Sequence, residues 1–321
     1  MREFDKPSVI VSKCLGFAEC RYDGKVINDE FVDRLRPYVT FHPVCPEVEI
    51  GLGVPRSPIR LVLAGNELRL VQPATGNDVT EKMKGFTRSF LQDILDVDGF
   101  ILKNRSPSCG IKDVRIYPGP AKVASIGRGA GFFGGAVIKG LPHLAIEDEG
   151  RLQNLRIREH FLTKLFTLSA FRTVKRSNSF KYLVDFHTRN KFLLMAYNQR
   201  ELRELGRVTA NREREAPEYL IERYQVHLFR ALSRAPSYTS IINVLMHSLG
   251  YFSKGLSSRE KSFFLESLQR YRSGRIPLRT VTSLLESWII RFDEEYLAQQ
   301  TFFEPYPEDL MLVPHYVRLE G

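Results

Sequence analysis

Hydrophobic and polar positions change their spacing partway along the chain. Before residue 150 the apolar residues come in short β-branched or aromatic runs: Val9-Ile10-Val11, Tyr38-Val39-Thr40-Phe41 and Gly99-Phe100-Ile101-Leu102. Between them, residues 28–35 and 80–97 carry the three-to-four spacing of amphipathic helices. In the second of these, Thr80 is placed to cap, and Met83, Phe86, Phe90, Leu91, Ile94 and Leu95 share one face. Strands alternating with helices predict an α/β domain built on a parallel sheet. Residues 141–151 then combine Pro142, the acidic triplet Glu147-Asp148-Glu149 and Gly150, which predicts a boundary. We expect two domains, 1–145 and 146–321. Behind the boundary the pattern is helical throughout, over 156–174, 180–205 with Gly206 as a terminating glycine, 217–233, 237–252, 258–272 and 277–300. The second domain is therefore expected to be an all-α helical bundle, with the tail from Phe302 (Pro305, Pro307, Pro314) extended over it.

The 321 residues carry a net charge of +10 that is unevenly shared. Residues 1–150 hold 20 Lys+Arg against 19 Asp+Glu, while residues 151–321 hold 27 against 18. Most of the excess falls in residues 151–214, with 15 basic and 5 acidic side chains. One-signed charge of that density suggests a polyanionic partner. No apolar run is long enough to cross a membrane, and the first eight residues carry Arg2, Glu3, Asp5 and Lys6 in place of an apolar signal core. We expect a cytoplasmic protein with no membrane association.

All four cysteines, Cys14, Cys20, Cys45 and Cys109, lie in the first half. Each predicted strand runs into one of them, at Cys14, Cys45 and Cys109. Loops leaving the carboxyl ends of parallel strands converge on one side of a sheet, so long sequence spacing is no obstacle to a shared site. The absence of a C-x2-C pair argues against a zinc ribbon and leaves other metal or cluster ligation open. Glu47 stands two residues after Cys45, as a proton-transfer group or a solvated loop carboxylate. Ser106 and Ser108 flank Cys109, as hydrogen-bond donors to a reacting group or as loop caps. The glycine-rich stretch 127–140 lacks the strand, helix and distal acid of a dinucleotide site and is expected to be a structural or lid loop. His187 and His247 have no partner at ligand spacing and are expected to be packing or surface histidines.

Three stretches, S-K-C-L-G-F-A-E-C-R-Y-D-G (12–24), P-V-C-P-E-V-E-I-G-L-G-V-P-R (43–56) and L-K-N-R-S-P-S-C-G (102–110), resemble the signature motifs of the thiouracil desulfidase family. The first reads C-L-G-F where C-L-L-G is commoner. Downstream, F-H-T-R-N-K (186–191), L-L-M-A-Y-N-Q (193–199), G-R-I-P-L (274–278) and F-F-E-P-Y-P-E-D-L (302–310) resemble the YbgA-type domain that is often fused behind it. The two-domain arrangement is similar to that of bacterial desulfidases acting on 4-thiouridine in transfer RNA. The resemblance implies a 4Fe-4S cluster held by Cys14, Cys45 and Cys109 with one iron open, and Cys20 as a bystander; beside such a cluster we expect Glu47 to act as general acid/base and Ser106 and Ser108 as assisting hydroxyls.

With that implication, the basic half reads as an RNA platform, in which Arg189, Lys191, Tyr197, Arg200 and Arg203 offer charge interleaved with an aromatic ring. The alternative is an ordinary solvated helical face. Three functions follow: desulfuration of 4-thiouridine in tRNA, desulfuration of a free thiouracil or thionucleoside, or an iron-sulfur RNA-binding regulator, which a fourth ligand at Cys20 would favour. Oligomeric state is left open.

Overall fold

The computed structural model describes residues 2–94, 96–121 and 123–311. Leu95 of the expected helical face and Pro314 of the expected tail lie outside them. The described chain divides into two compact units, one of residues 3–169 with 306–311 and the other of residue 2 with 170–305.

In chain order the first unit contains β1 (Ser8–Ser12), α1 (Glu30–Leu35), β2 (Thr40–Val44), α2 (Pro46–Glu49), β3 (Arg60–Ala64), β4 (Glu67–Gln72) and β5 (Asn77–Asp78). There follow α3 (Thr80–Asp93), β6 (Gly99–Leu102), β7 (Val114–Tyr117), β8 (Gly127–Gly129), α4 (Phe132–Gly140), β9 (Ala145–Asp148) and the first turns of α5 (Leu155–Ser177). One sheet is all parallel in the order β2-β1-β6-β9. Val9, Val11 and all of β6 are buried, as central strands of a parallel sheet covered on both faces must be. Phe31, Val32 and Leu35 of α1 and Phe161, Leu162, Leu165 and Phe166 of α5 join these strands in one core. Asp29 caps α1 by accepting from the Val32 N–H at 3.0 Å.

The expected parallel sheet and helical second half are both present. A second sheet, which the hydrophobic runs did not announce, has the order β5-β4-β3-β7-β8 and is antiparallel except where β3 meets β7. Residues 127–140, expected to be a loop, form β8 and α4.

The second unit takes the rest of α5 with α6 (Phe180–Tyr197), α7 (Gln199–Ala210), α8 (Pro217–Ala231), α9 (Tyr238–Phe252), α10 (Ser258–Arg272), α11 (Leu278–Arg291) and α12 (Glu295–Ala298). Its core includes Phe192, Val244, Leu245, Phe264, Leu285 and Trp288. The single helix expected over 180–205 is two helices. Asn198 leaves helical geometry and its side chain accepts from the Arg200 and Glu201 N–H groups, so it caps α7, and Gly206 lies inside that helix. Thr80 is likewise not a cap: it is the first residue of α3, and its Oγ1 accepts from the Leu70 N–H of β4 at 2.8 Å. The tail does not lie over the bundle as a whole, since Tyr306 and Leu310 belong to the core of the sheet unit.

Candidate functional site

Three of the four cysteines arrive where the strand runs predicted. Cys14 follows β1, Cys45 follows β2 and opens α2, and Cys109 sits in the loop after β6. Strands β2, β1 and β6 are neighbours, so these loops leave one edge of the sheet side by side. Cys14, Cys45 and Cys109 line a cavity of about 400 Å³, together with Cys20, Glu47, Arg56, Ser106 and Ser108. That volume is in the range of small-molecule sites.

The Cys109 loop is tied down by its own hydroxyl. Ser106 Oγ accepts from the backbone N–H of Cys109 at 3.1 Å and of Ser108 at 3.3 Å. Helix α4 presses on the loop from behind, and only glycine permits the approach. A Cβ on Gly131 would stand 2.5 Å from Ser108 O, and one on Gly134 would stand 2.3 Å from Cys109 O. The glycines of 127–140 thus serve close backbone packing.

Polar side chains link the loops. Ser108 Oγ donates to Glu47 Oε1 at 2.6 Å, and Ser106 Oγ lies 2.9 Å from Ser108 Oγ. The two hydroxyls therefore form a relay that ends on the carboxylate. Arg56 holds the other oxygen: Nε and Nη2 donate to Glu47 Oε2 at 2.9 and 2.7 Å. Its Nη1 donates to the carbonyls of Cys20 and Gly53, both at 2.9 Å. The Arg56 side chain is 4% exposed, so the pair is shielded from water.

The surroundings of Cys20, Cys45 and Cys109 favour their protonated thiols. Hydrogen bonding to Cys14 is the main cause that raises the Cys20 thiol to about 11. Cys45 is raised further, first by its hydrogen bond with Cys20 and then by burial. Burial raises Cys109 to about 12. Thiols of this kind become ligands when a cation displaces their protons. No three His, Cys, Asp or Glu among the described residues converge as ligands of a single metal ion. A single tetrahedral ion holds its thiolates within about 4 Å of one another, whereas an iron-sulfur cluster distributes them over separate irons. The set of unbridged thiols around one cavity, Cys14 half-buried and the others buried, fits the second kind of centre.

Cys20, expected to be a bystander, is buried, lines the same cavity, and accepts at its carbonyl from Cys45 Sγ at 3.8 Å. Arg56 was not singled out at all. It closes the second motif, but its nine-residue distance from Glu47 carries no periodic signal.

The residues expected to bind RNA divide in the second unit. Lys191, Arg200 and Arg203 are exposed, and Arg189 is exposed but paired with Asp185 at 3.0 Å. Tyr197 is half-buried and packs against the helical core. Among their neighbours, Phe186 is core, Asn190 is buried and donates to Phe186 O, and Asn198 is a cap. The aromatic and amide groups mostly serve folding, while the charges face solvent. His187 donates to or accepts from Tyr224 Oη at 3.1 Å, a packing role. No helix among the described residues is long and apolar enough to cross a membrane.

Comparison with known proteins adds family relationships for both halves. Residues 9–149 match the family model described as 2-thiouracil desulfurase. Residues 191–307 match a family described as a protein of unknown function, DUF1722. The uncharacterized protein YbbK of Bacillus subtilis (strain 168) is 36% identical over 110 residues, covering 32% of this chain and 72% of its own length. The uncharacterized protein YbgA of Escherichia coli (strain K12) is 26% identical over 159 residues, 49% of this chain and 94% of its own. A solved structure of the 4Fe-4S-dependent thiouracil desulfidase TudS is similar at 29% identity with a TM-score of 0.37, over 48% of this chain and 98% of that one.

Proposed function

Because the chain belongs to the 2-thiouracil desulfurase family through residues 9–149, we propose that it is a desulfidase converting 4-thiouridine in transfer RNA to uridine and hydrogen sulfide. The observation that carries this reading is the meeting of Glu47 with Cys14, Cys45 and Cys109 around one cavity. In our reading those three cysteines hold a 4Fe-4S cluster. When bound, the cluster would supply a thiophilic Lewis acid that polarises the C=S bond.

The chain's own groups then handle water and protons. Glu47 takes a proton from the water that attacks the thiocarbonyl carbon, and the C–S bond breaks as C=O forms. Water contributes its oxygen to the base and both its protons to the departing sulfide, so nothing is oxidised or reduced. Arg56 fixes the Glu47 carboxylate from the side away from Ser108, and so sets which oxygen is available. The Ser106–Ser108 relay donates to that second oxygen through the Ser108 hydroxyl and so orients it.

The burial of Cys20 against Cys14 and Cys45 supports a second reading, in which four thiolates close the cluster and the protein is an iron-sulfur RNA-binding regulator. Anaerobic incubation of the reconstituted protein with thiolated tRNA distinguishes them. The desulfidase reading expects stoichiometric loss of thiouridine absorbance with matching sulfide; binding without loss would favour the regulator.

A further inference from the structure

The first half of the chain is nearly neutral in sum, but residues 99–140 hold seven Lys+Arg and a single acid, Asp113. The fold gathers part of that charge beside the thiol cavity. A second cavity of about 360 Å³ shares Pro58, Ile59, Arg105 and Pro107 with the first. Its other walls include Arg60, Arg115, Arg128 and Tyr117, with Asp113 as its one acid.

Sheet register aligns three of these arginines. Arg115 of β7 stands directly opposite Arg128 of β8. On the other side of β7, Leu61 is opposite Ile116 in parallel register, which sets Arg60 alongside Arg115. Arg60, Arg115 and Arg128 thus form a row across three adjacent strands, with steps of about 4.8 Å from strand to strand. Like charges facing each other across a sheet are destabilising. Little on the protein offsets them. Arg128 meets Asp113 at 4.0 Å with both side chains more than half exposed, and Arg60 lies over the Tyr117 ring at 4.8 Å. Arg105 and Arg115 are both exposed and line this cavity. A polyanion laid along the row would remove the repulsion.

We propose that this arginine row is the track for the phosphodiester chain of a single-stranded RNA segment, leading the thiolated base into the adjoining thiol cavity, with Tyr117 available to stack on a flanking base. The proposal rests on the desulfidase reading for the identity of the base, but not for the binding itself. It also relocates part of RNA recognition from the basic helices to the catalytic unit. Arginines suit phosphate through their paired donors, and bases stack on aromatic rings without regard to sequence.

The test is fluorescence anisotropy of a labelled oligouridylate with the full chain, over a series of salt concentrations. For Arg115→Gln with Arg128→Gln, the log-log salt slope is expected to fall in magnitude by about 1.4, two contacts at about 0.7 each, with at least about tenfold weaker binding at low salt. An unchanged slope and affinity in a variant with wild-type melting would overturn the track. Should that pair fail to fold, ultraviolet cross-linking of the unaltered chain to the same RNA, mapped by mass spectrometry, serves instead. Adducts at Tyr117 support the track, and adducts confined to residues 180–210 sink it. Sulfide release together with unaltered RNA binding in the arginine variant would remove the track and leave the desulfidase. Weakened binding in a chain that never releases sulfide would do the opposite.

Discussion

Glu47 touches both halves of the proposed proton machinery, a hydroxyl relay on Oε1 and an arginine clamp on Oε2. Glu47→Gln keeps the side chain's size but cannot accept the proton of the attacking water. We expect the cluster's visible absorption to persist while sulfide release drops by about 10²–10⁴-fold; turnover within a few-fold of wild type would remove Glu47 from the chemistry. Cys20 poses the sharper question because the fold places it among the thiols it was expected to stand apart from. Cys20→Ser should leave iron content and sulfide release intact if three thiolates suffice. Loss of the cluster would favour the four-ligand regulator. At this scale the sequence was legible for the placement of Cys14, Cys45, Cys109 and Glu47 around one cavity, since each cysteine follows a strand run and Glu47 stands two residues from one of them. It was not legible for Arg56, whose role comes from a fold-made approach to Glu47 and to the Cys20 carbonyl.

Among the elements, α4 shows how backbone contact builds the site. Its Gly134 lies against the Cys109 carbonyl so closely that any Cβ must push the loop. Gly134→Ala is therefore expected to cost about 1–3 kcal/mol in stability through overpacking, and to lower iron loading per chain, because the third thiol moves with its loop. Normal melting and full iron content would show that the loop yields without consequence. Strands β1 and β6 were legible because central parallel strands are continuous apolar runs, whereas β2 is an edge strand of which only the start continues the apolar run from Tyr38. The second sheet was not legible, since β4 (E-L-R-L-V-Q) interleaves polar residues with its apolar ones and β8 (G-R-G) is only three residues long and largely exposed. The break between α6 and α7 was missed for a related reason: the apolar spacing continues through Asn198, and only its capping bonds reveal the turn. Helical periodicity also shows that residues 155–177 form a helix without showing that Phe161, Leu162, Leu165 and Phe166 serve the sheet's core.

Across the whole molecule, charge was legible as a block in residues 151–214, yet summing over the first half concealed the arginine row. Acid stability depends on groups whose burial no composition reveals. Burial lowers His160 in the sheet unit and His187 in the helical unit from 6.5 to about 4. Each imidazole therefore stays neutral in the folded chain over a range where the unfolded chain takes up a proton. Between pH 6.5 and about 4 the unfolded state binds more protons, so stability is intact above 6.5 and declines as pH falls through that window. In the sheet unit Glu159 acts with the opposite sign, because burial raises its carboxyl and favours the protonated folded form at low pH. In the helical unit, hydrogen bonds lower Glu218 and Glu260, an acid sensitivity of the same sign as that of His187 that sets in nearer their ordinary 4.5. His187→Gln retains a partner for Tyr224 Oη but cannot titrate. Its melting temperature should fall less than that of the wild type between pH 7 and pH 5, and parallel curves for the two proteins would show that His187 carries none of the acid sensitivity.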